Sequence, residues 1–166
     1  MIPAALIAAA GLISAPATAD PRIEAFGQAC LSETPMTREG LAERARRGRW
    51  ETGRAETPAD LEWRDIYRHG SAIIRLDQHP KVDGNPGERI CVVLVGSAPA
   101  DWRDQVSALT SNGTPVGAPG TYDTERYQLP PELELTVWDL PDGSRIHALR
   151  EPGNTLELSV NYPTGR

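Results

Sequence analysis

The sequence predicts an α+β domain, with two N-terminal helices packed on a largely antiparallel sheet of about six strands and one further helix after the third strand. Three observations predict it. Apolar residues recur at helical spacing in the first third of the chain. Alternating apolar runs flank short turns rich in Gly, Pro, Asn and Asp. Two cysteines, Cys30 and Cys91, fall one in the first helical segment and one in the most apolar strand.

The chain opens MIPAALIAAAGLISAPATAD. Ala4 to Ile13 is an apolar run of about ten residues, too short to span a bilayer and the right length for a signal-peptide core. Ala17 and Ala19 stand where a signal peptidase reads small residues, so cleavage after Ala19 is expected. Residues 1–19 are then a signal peptide and 20–166 a single α+β domain, periplasmic or secreted. No later stretch approaches the about 20 apolar residues of a transmembrane helix. The formal net charge of −6 argues against nucleic-acid binding, which needs a basic footprint.

Asp20 is placed to cap the first helix, with Pro21 at its first position and Ile23, Phe26, Cys30 and Leu31 on its apolar side. Thr37 can cap the second, REGLAERARR, with Gly48 as its stop. Arg38, Arg44, Arg46 and Arg47, with Arg49 just beyond, make this helix basic, partly offset by Glu39 and Glu43. Such a face is either solvated and laced with i,i+4 pairs or a patch for an anionic envelope surface.

LEWRDIY and AIIRLD flank Gly70-Ser71, a two-residue hairpin turn that sets Tyr67 opposite Ile74 and Asp65 opposite Leu76. RICVVLVG reads as a central strand. The segment ADWRDQVSALTSNG follows as a helix ending at Asn112-Gly113, with Ser97 as a capping residue before it. ELELTVWDL, SRIHALR and TLELSVNY form a meander joined by a type I turn with a Gly bulge at Pro141–Gly143 and a type II turn at Glu151–Asn154. A four-residue second turn places His147 on one face with Leu135, Val137, Leu149, Leu156, Leu158 and Val160. Thr136, Trp138, Ile146, Glu157 and Ser159 then face the other way.

In an oxidising compartment two cysteines allow one bridge, Cys30–Cys91. It closes a loop of about 60 residues, worth roughly 4 kcal/mol in chain entropy. A catalytic thiolate needs an electropositive setting that ICVVLV lacks, and two distant cysteines with three scattered histidines do not make a zinc site. Asp83, Asn85 and Glu88 do not follow calcium-loop spacing. No phosphate-cradling loop or dinucleotide fingerprint occurs, so no metal and no cofactor are expected. His147, on an apolar face, could act as a base if Asp65 approached to orient it, which makes these two the catalytic candidates. The stretch from Ser111 to Pro131 lacks a period, and its Tyr122, Arg126 and Tyr127 are the candidate binding residues.

The leader, PRIEAFGQACLS, GRW at Gly48 to Trp50, LEWR at Leu61 to Arg64 and the strand cysteine in RICVVLV together resemble a group of small exported proteins of alphaproteobacteria with one disulfide and no assigned activity. The resemblance implies an exported, one-domain protein and carries over no catalytic residue. The function expected is a non-enzymatic periplasmic binding or accessory protein, its partner an unidentified protein or cell-envelope component. The alternatives are a periplasmic hydrolase using His147 and an envelope-surface binder working through the Arg-rich second helix.

Overall fold

The computed structural model describes residues 19–33, 36–82, 87–120 and 129–163. The expected signal peptide, apart from Ala19, lies outside them, as do Asp83, Asn85, Tyr122, Arg126 and Tyr127.

Asp20 caps α1 (Pro21–Phe26) by accepting the Arg22 N–H at 2.8 Å, with Pro21 as the first helical residue. The helix runs without a break into a π-helical turn, Gly27–Leu31. α2 (Arg38–Gly48) is capped by Thr37, whose hydroxyl accepts the Gly40 N–H at 3.0 Å. The N-terminal region therefore holds three helical segments, a correction to the expected two. Period counting misses the π turn because five residues are too few to shift the apolar spacing visibly. α2 ends at Gly48 as expected, and Arg49 after it takes the left-handed conformation at φ 55°.

Among the described residues the main sheet has seven strands: β1 (Glu51–Thr52), β2 (Trp63–His69), β3 (Ala72–His79), β4 (Glu88–Ser97), β7 (Glu134–Asp139), β8 (Arg145–Arg150) and β9 (Thr155–Pro163). Their order is β1-β2-β3-β4-β9-β8-β7, every neighbouring pair antiparallel. The six expected strands are present, and the seventh, β1, is a two-residue edge that sequence periodicity is too short to reveal. α3 (Trp102–Ser107) follows β4 and is shorter than expected. Thr110–Ser111 (β5) and Thr114–Pro115 (β6) form a hairpin around Asn112 and Gly113, both at positive φ (49° and 78°). An Asn-Gly pair in that conformation is the signature of a tight hairpin and overrides a helix end. Ser97 ends β4 and does not cap α3, whose N-cap position is Asp101.

The hairpin at Gly70 has the expected register, Tyr67 opposite Ile74 and Asp65 opposite Leu76, with Gly70 at φ 59°. So has the one at Gly143, φ 82°, which leaves Asp139 opposite Arg145. The last hairpin differs by one residue. Glu151–Asn154 closes as a turn (Asn154 N to Glu151 O, 3.1 Å), but Asn154 is itself left-handed at φ 71° and the strands close on Glu151 and Thr155. That extra residue sets His147 opposite Ser159 and Ala148 opposite Leu158. Because side chains alternate, a slip of one residue turns all of β9 over. Leu156, Leu158 and Val160 thus share a face with Trp138 and Ile146, while Glu157 and Ser159 share one with His147, correcting the expected grouping.

All three helices contribute to the core on the face that carries Cys91. Ile23, Phe26, Leu41, Trp102 and Val106 are buried there with Ile74, Leu76, Val93, Trp138, Ile146, Leu158 and Val160. The disulfide joins Cys30 of the π turn to Cys91 of β4, with a Cα–Cα distance of 5.7 Å. Beside it the Tyr162 hydroxyl donates to the Cys30 carbonyl, tying β9 to the same turn. The opposite face carries Ile73 and Leu94, both more than a third exposed, among charged residues. Among the described residues no helix is long and apolar enough to cross a membrane.

Candidate functional site

The structure does not bring His147 and Asp65 together. Asp65 lies on β2, on the helix-covered face, where Arg38 of α2 grips its carboxylate through two hydrogen bonds of 2.7 and 2.8 Å. The same guanidinium stacks on Trp63 at 4.6 Å, so Asp65 anchors the start of α2 to the sheet. His147 lies on β8, on the other face, and β3, β4 and β9 separate the two strands. Its neighbours are Ser159, directly opposite on β9, and Asn161, which is within hydrogen-bonding reach and donates to Glu88 at 2.9 Å. Burial first, then the charge of Arg145, holds His147 below the ordinary imidazole value. Among the described residues no group of three or more His, Cys, Asp or Glu is placed to hold a metal ion.

Among the clefts lined by described residues are two that border α2 or α3. One, of about 300 Å³, lies between the β4–α3 connection and the last hairpin, lined by Ala98, Pro99, Trp102, Arg103, Arg150 and Asn154. Its cations are already paired: Arg103 and Arg150 both reach Glu134, and Arg103 also stacks on Trp102 at 4.6 Å.

The other, of about 470 Å³, opens between the end of α2 and the β1–β2 edge of the sheet. Ala42 and Ala45 of α2 form one side, Trp50, Thr52 and Tyr67 the other, and Arg46 and Arg49 the basic rim. Local sequence explains the shape. The left-handed Arg49 turns the chain off the helix, and Trp50 N–H donates to the Ala45 carbonyl at 2.8 Å. The absence of a side chain at Gly48 lets the indole fold back, since a Cβ there would overlap it. Trp50 then meets Tyr67 edge-on at 6.5 Å and lies against His69 at 5.0 Å and 30°. Burial and then the Asp65 charge push the Tyr67 hydroxyl above its ordinary value, which keeps it a neutral donor at physiological pH.

The arginines of α2 divide into two sets. Arg38 is held by Asp65, Arg44 by Glu33 at 2.5 Å and by the Ala29 carbonyl at 3.1 Å, and Arg47 stands 4.0 Å from Glu43. Arg46 and Arg49 have no carboxylate partner among the described residues, and both border the cleft. Sequence reading found the basic helix but not this division, because pairing with Asp65 and Glu33 depends on where the helix docks. GRW was the local signal available: a glycine, a basic residue and a large ring at a helix end.

No protein family, curated protein or solved structure matches the chain.

Proposed function

We propose that the protein is a non-enzymatic binding or accessory protein of the periplasm that engages an anionic component of the cell envelope at the cleft between α2 and the sheet edge. The observation that carries this reading is the pair Arg46 and Arg49, which lack a carboxylate partner among the described residues, beside Trp50 and Tyr67. Guanidiniums without a carboxylate partner beside a half-buried indole are the kind of side chains enriched at binding hot spots. The Cys30–Cys91 disulfide and the apolar leader support an oxidising, extracytoplasmic location. The test is cosedimentation of residues 20–166 with cell-wall sacculi and with anionic vesicles over a salt series. Arg46→Ala with Arg49→Ala lowers adsorption and its salt dependence, whereas Arg47→Ala, off the cleft, leaves both intact. Equal adsorption by the double variant removes the cleft from the reading. Tyr122 and Arg126 enter the same assay through deletion of residues 117–126, and Tyr127 through Tyr127→Ala; either change lowers capture if that loop also grips the partner.

A hydrolase using His147 is the second reading. Its support is the linkage of Glu88, Asn161 and His147 on the exposed face, with Ser159 opposite the imidazole. His147→Gln with full activity against any substrate found by screening disposes of it.

A further inference from the structure

Resting on the binding reading above, we infer that the α2 cleft recognises an anionic group carried on a ring, a carboxylate or phosphate seated between Arg46 and Arg49 with the ring laid against Trp50.

Each part of the cleft excludes a different alternative. A guanidinium presents a planar fork of donors that matches a carboxylate or phosphate in two-point contact, so the rim selects an oxyanion over a halide or a neutral polar group. Both arginines also sit at the negative end of the α2 dipole, which accounts for their charge but not for their convergence on an aromatic wall. Ala42 and Ala45 line one side with methyl groups alone, and the volume of about 470 Å³ lies within the range of small-molecule sites. Trp50 is half-buried, steadied by Tyr67 and His69, so its orientation is set before a ligand arrives. A flat or chair-shaped ring gains contact area against such a fixed indole at small entropic cost. Thr52 and the neutral Tyr67 hydroxyl complete the lining with groups that can donate to, or accept from, ring hydroxyls.

The other cleft provides an internal comparison. There Arg103 and Arg150 converge on Glu134, so a carboxylate of the protein itself takes the place an anion would occupy. At the α2 cleft no described carboxylate does so.

The shared chemistry has two sources, an acidic sugar or an aromatic acid, and the experiment separates them. Residues 20–166, labelled with nitrogen-15, are titrated with glucuronate, benzoate, glucose and inorganic phosphate, following the indole N–H of Trp50, assigned from Trp50→Phe. The expected result is a saturable shift with glucuronate, benzoate or both, and weaker responses to glucose and phosphate. Glucuronate alone identifies the acidic sugar as the source, and benzoate alone the aromatic acid. Arg46→Gln with Arg49→Gln weakens the response by about tenfold or more, Trp50→Phe weakens binding followed at backbone amides, and Arg47→Ala does not alter it. Phosphate binding as tightly as both ring acids overturns the ring requirement, and no saturable response to any ring acid overturns the inference as a whole. If Arg46 and Arg49 still govern adsorption to envelope material while neither ring acid binds, the binding reading stands and this inference falls.

Discussion

Asn154 and Ala98, 56 residues apart, exchange two hydrogen bonds: Ala98 N–H donates to the Asn154 carbonyl at 2.9 Å, and Asn154 Nδ2 donates to the Ala98 carbonyl at 2.8 Å. The Asn154 side-chain oxygen also accepts from Arg150 Nε at 2.9 Å. One residue in the left-handed conformation is thus clamped to the chain leaving β4, and it sets the register of β9 against β8.

Asn154→Gly keeps the backbone freedom that φ 71° requires but loses both side-chain bonds, which should lower stability by about 2 kcal/mol. Deleting Asn154 is far worse. The strand would turn over, exposing Leu156, Leu158 and Val160 and burying Glu157, and cooperative unfolding should disappear. Urea denaturation of both variants measures this, and a deletion variant with a normal transition would show that Asn154 does not set the register.

Reduction of Cys30–Cys91, or Cys30→Ser with Cys91→Ser, should cost roughly 4 kcal/mol by freeing the loop between them, with some further loss from placing hydroxyls in the core. Urea midpoints with and without reductant report it. Equal midpoints would mean that the bridge does not constrain the unfolded chain.

Asp77 is nearly inaccessible and receives Arg64 in two hydrogen bonds of 2.6 and 2.8 Å, with Arg75 at 3.0 Å. Asp77→Ala leaves two guanidiniums facing one another beside apolar Val92, and should cost about 3 kcal/mol. Adding Arg64→Ala should recover part of that loss, because it removes the uncompensated charge. A double-mutant cycle with no coupling would refute the pairing.

His147 gives the protein an acid-sensitive term. Its folded value is lowered from 6.5 by burial, so the unfolded chain takes up the proton more readily. Its contribution is complete above 6.5 and is lost as pH falls from there towards the folded value. Glu157 has the opposite sign: burial raises its carboxyl above 4.5, so protonation on acidification favours the fold. Between pH 8 and 5 the urea midpoint of His147→Gln should fall less than that of the wild type. Parallel curves would show that His147 is not protected.

The hairpins at Gly70 and Gly143 were legible because each turn is written in residues that permit one backbone path, and their registers follow from counting outward. The caps at Asp20 and Thr37 were legible for the same reason, each being decided within about four residues. The π turn, the short edge β1 and the hairpin at Asn112-Gly113 were missed or misread because each is too short to leave a period.

By itself the sequence determined the α+β class, the starts of the first two helices, most of the strands and the pairing of Cys30 with Cys91, since these depend on local backbone preference, alternation and a cysteine count of two. Only the tertiary structure decided which face His147 occupies, that Asp65 belongs to Arg38, and that Arg46 and Arg49 stand over a cleft without a described carboxylate. Those outcomes depend on a one-residue register choice at Asn154 and on the docking of α2 against β2, where contacts between distant residues outweigh any local preference.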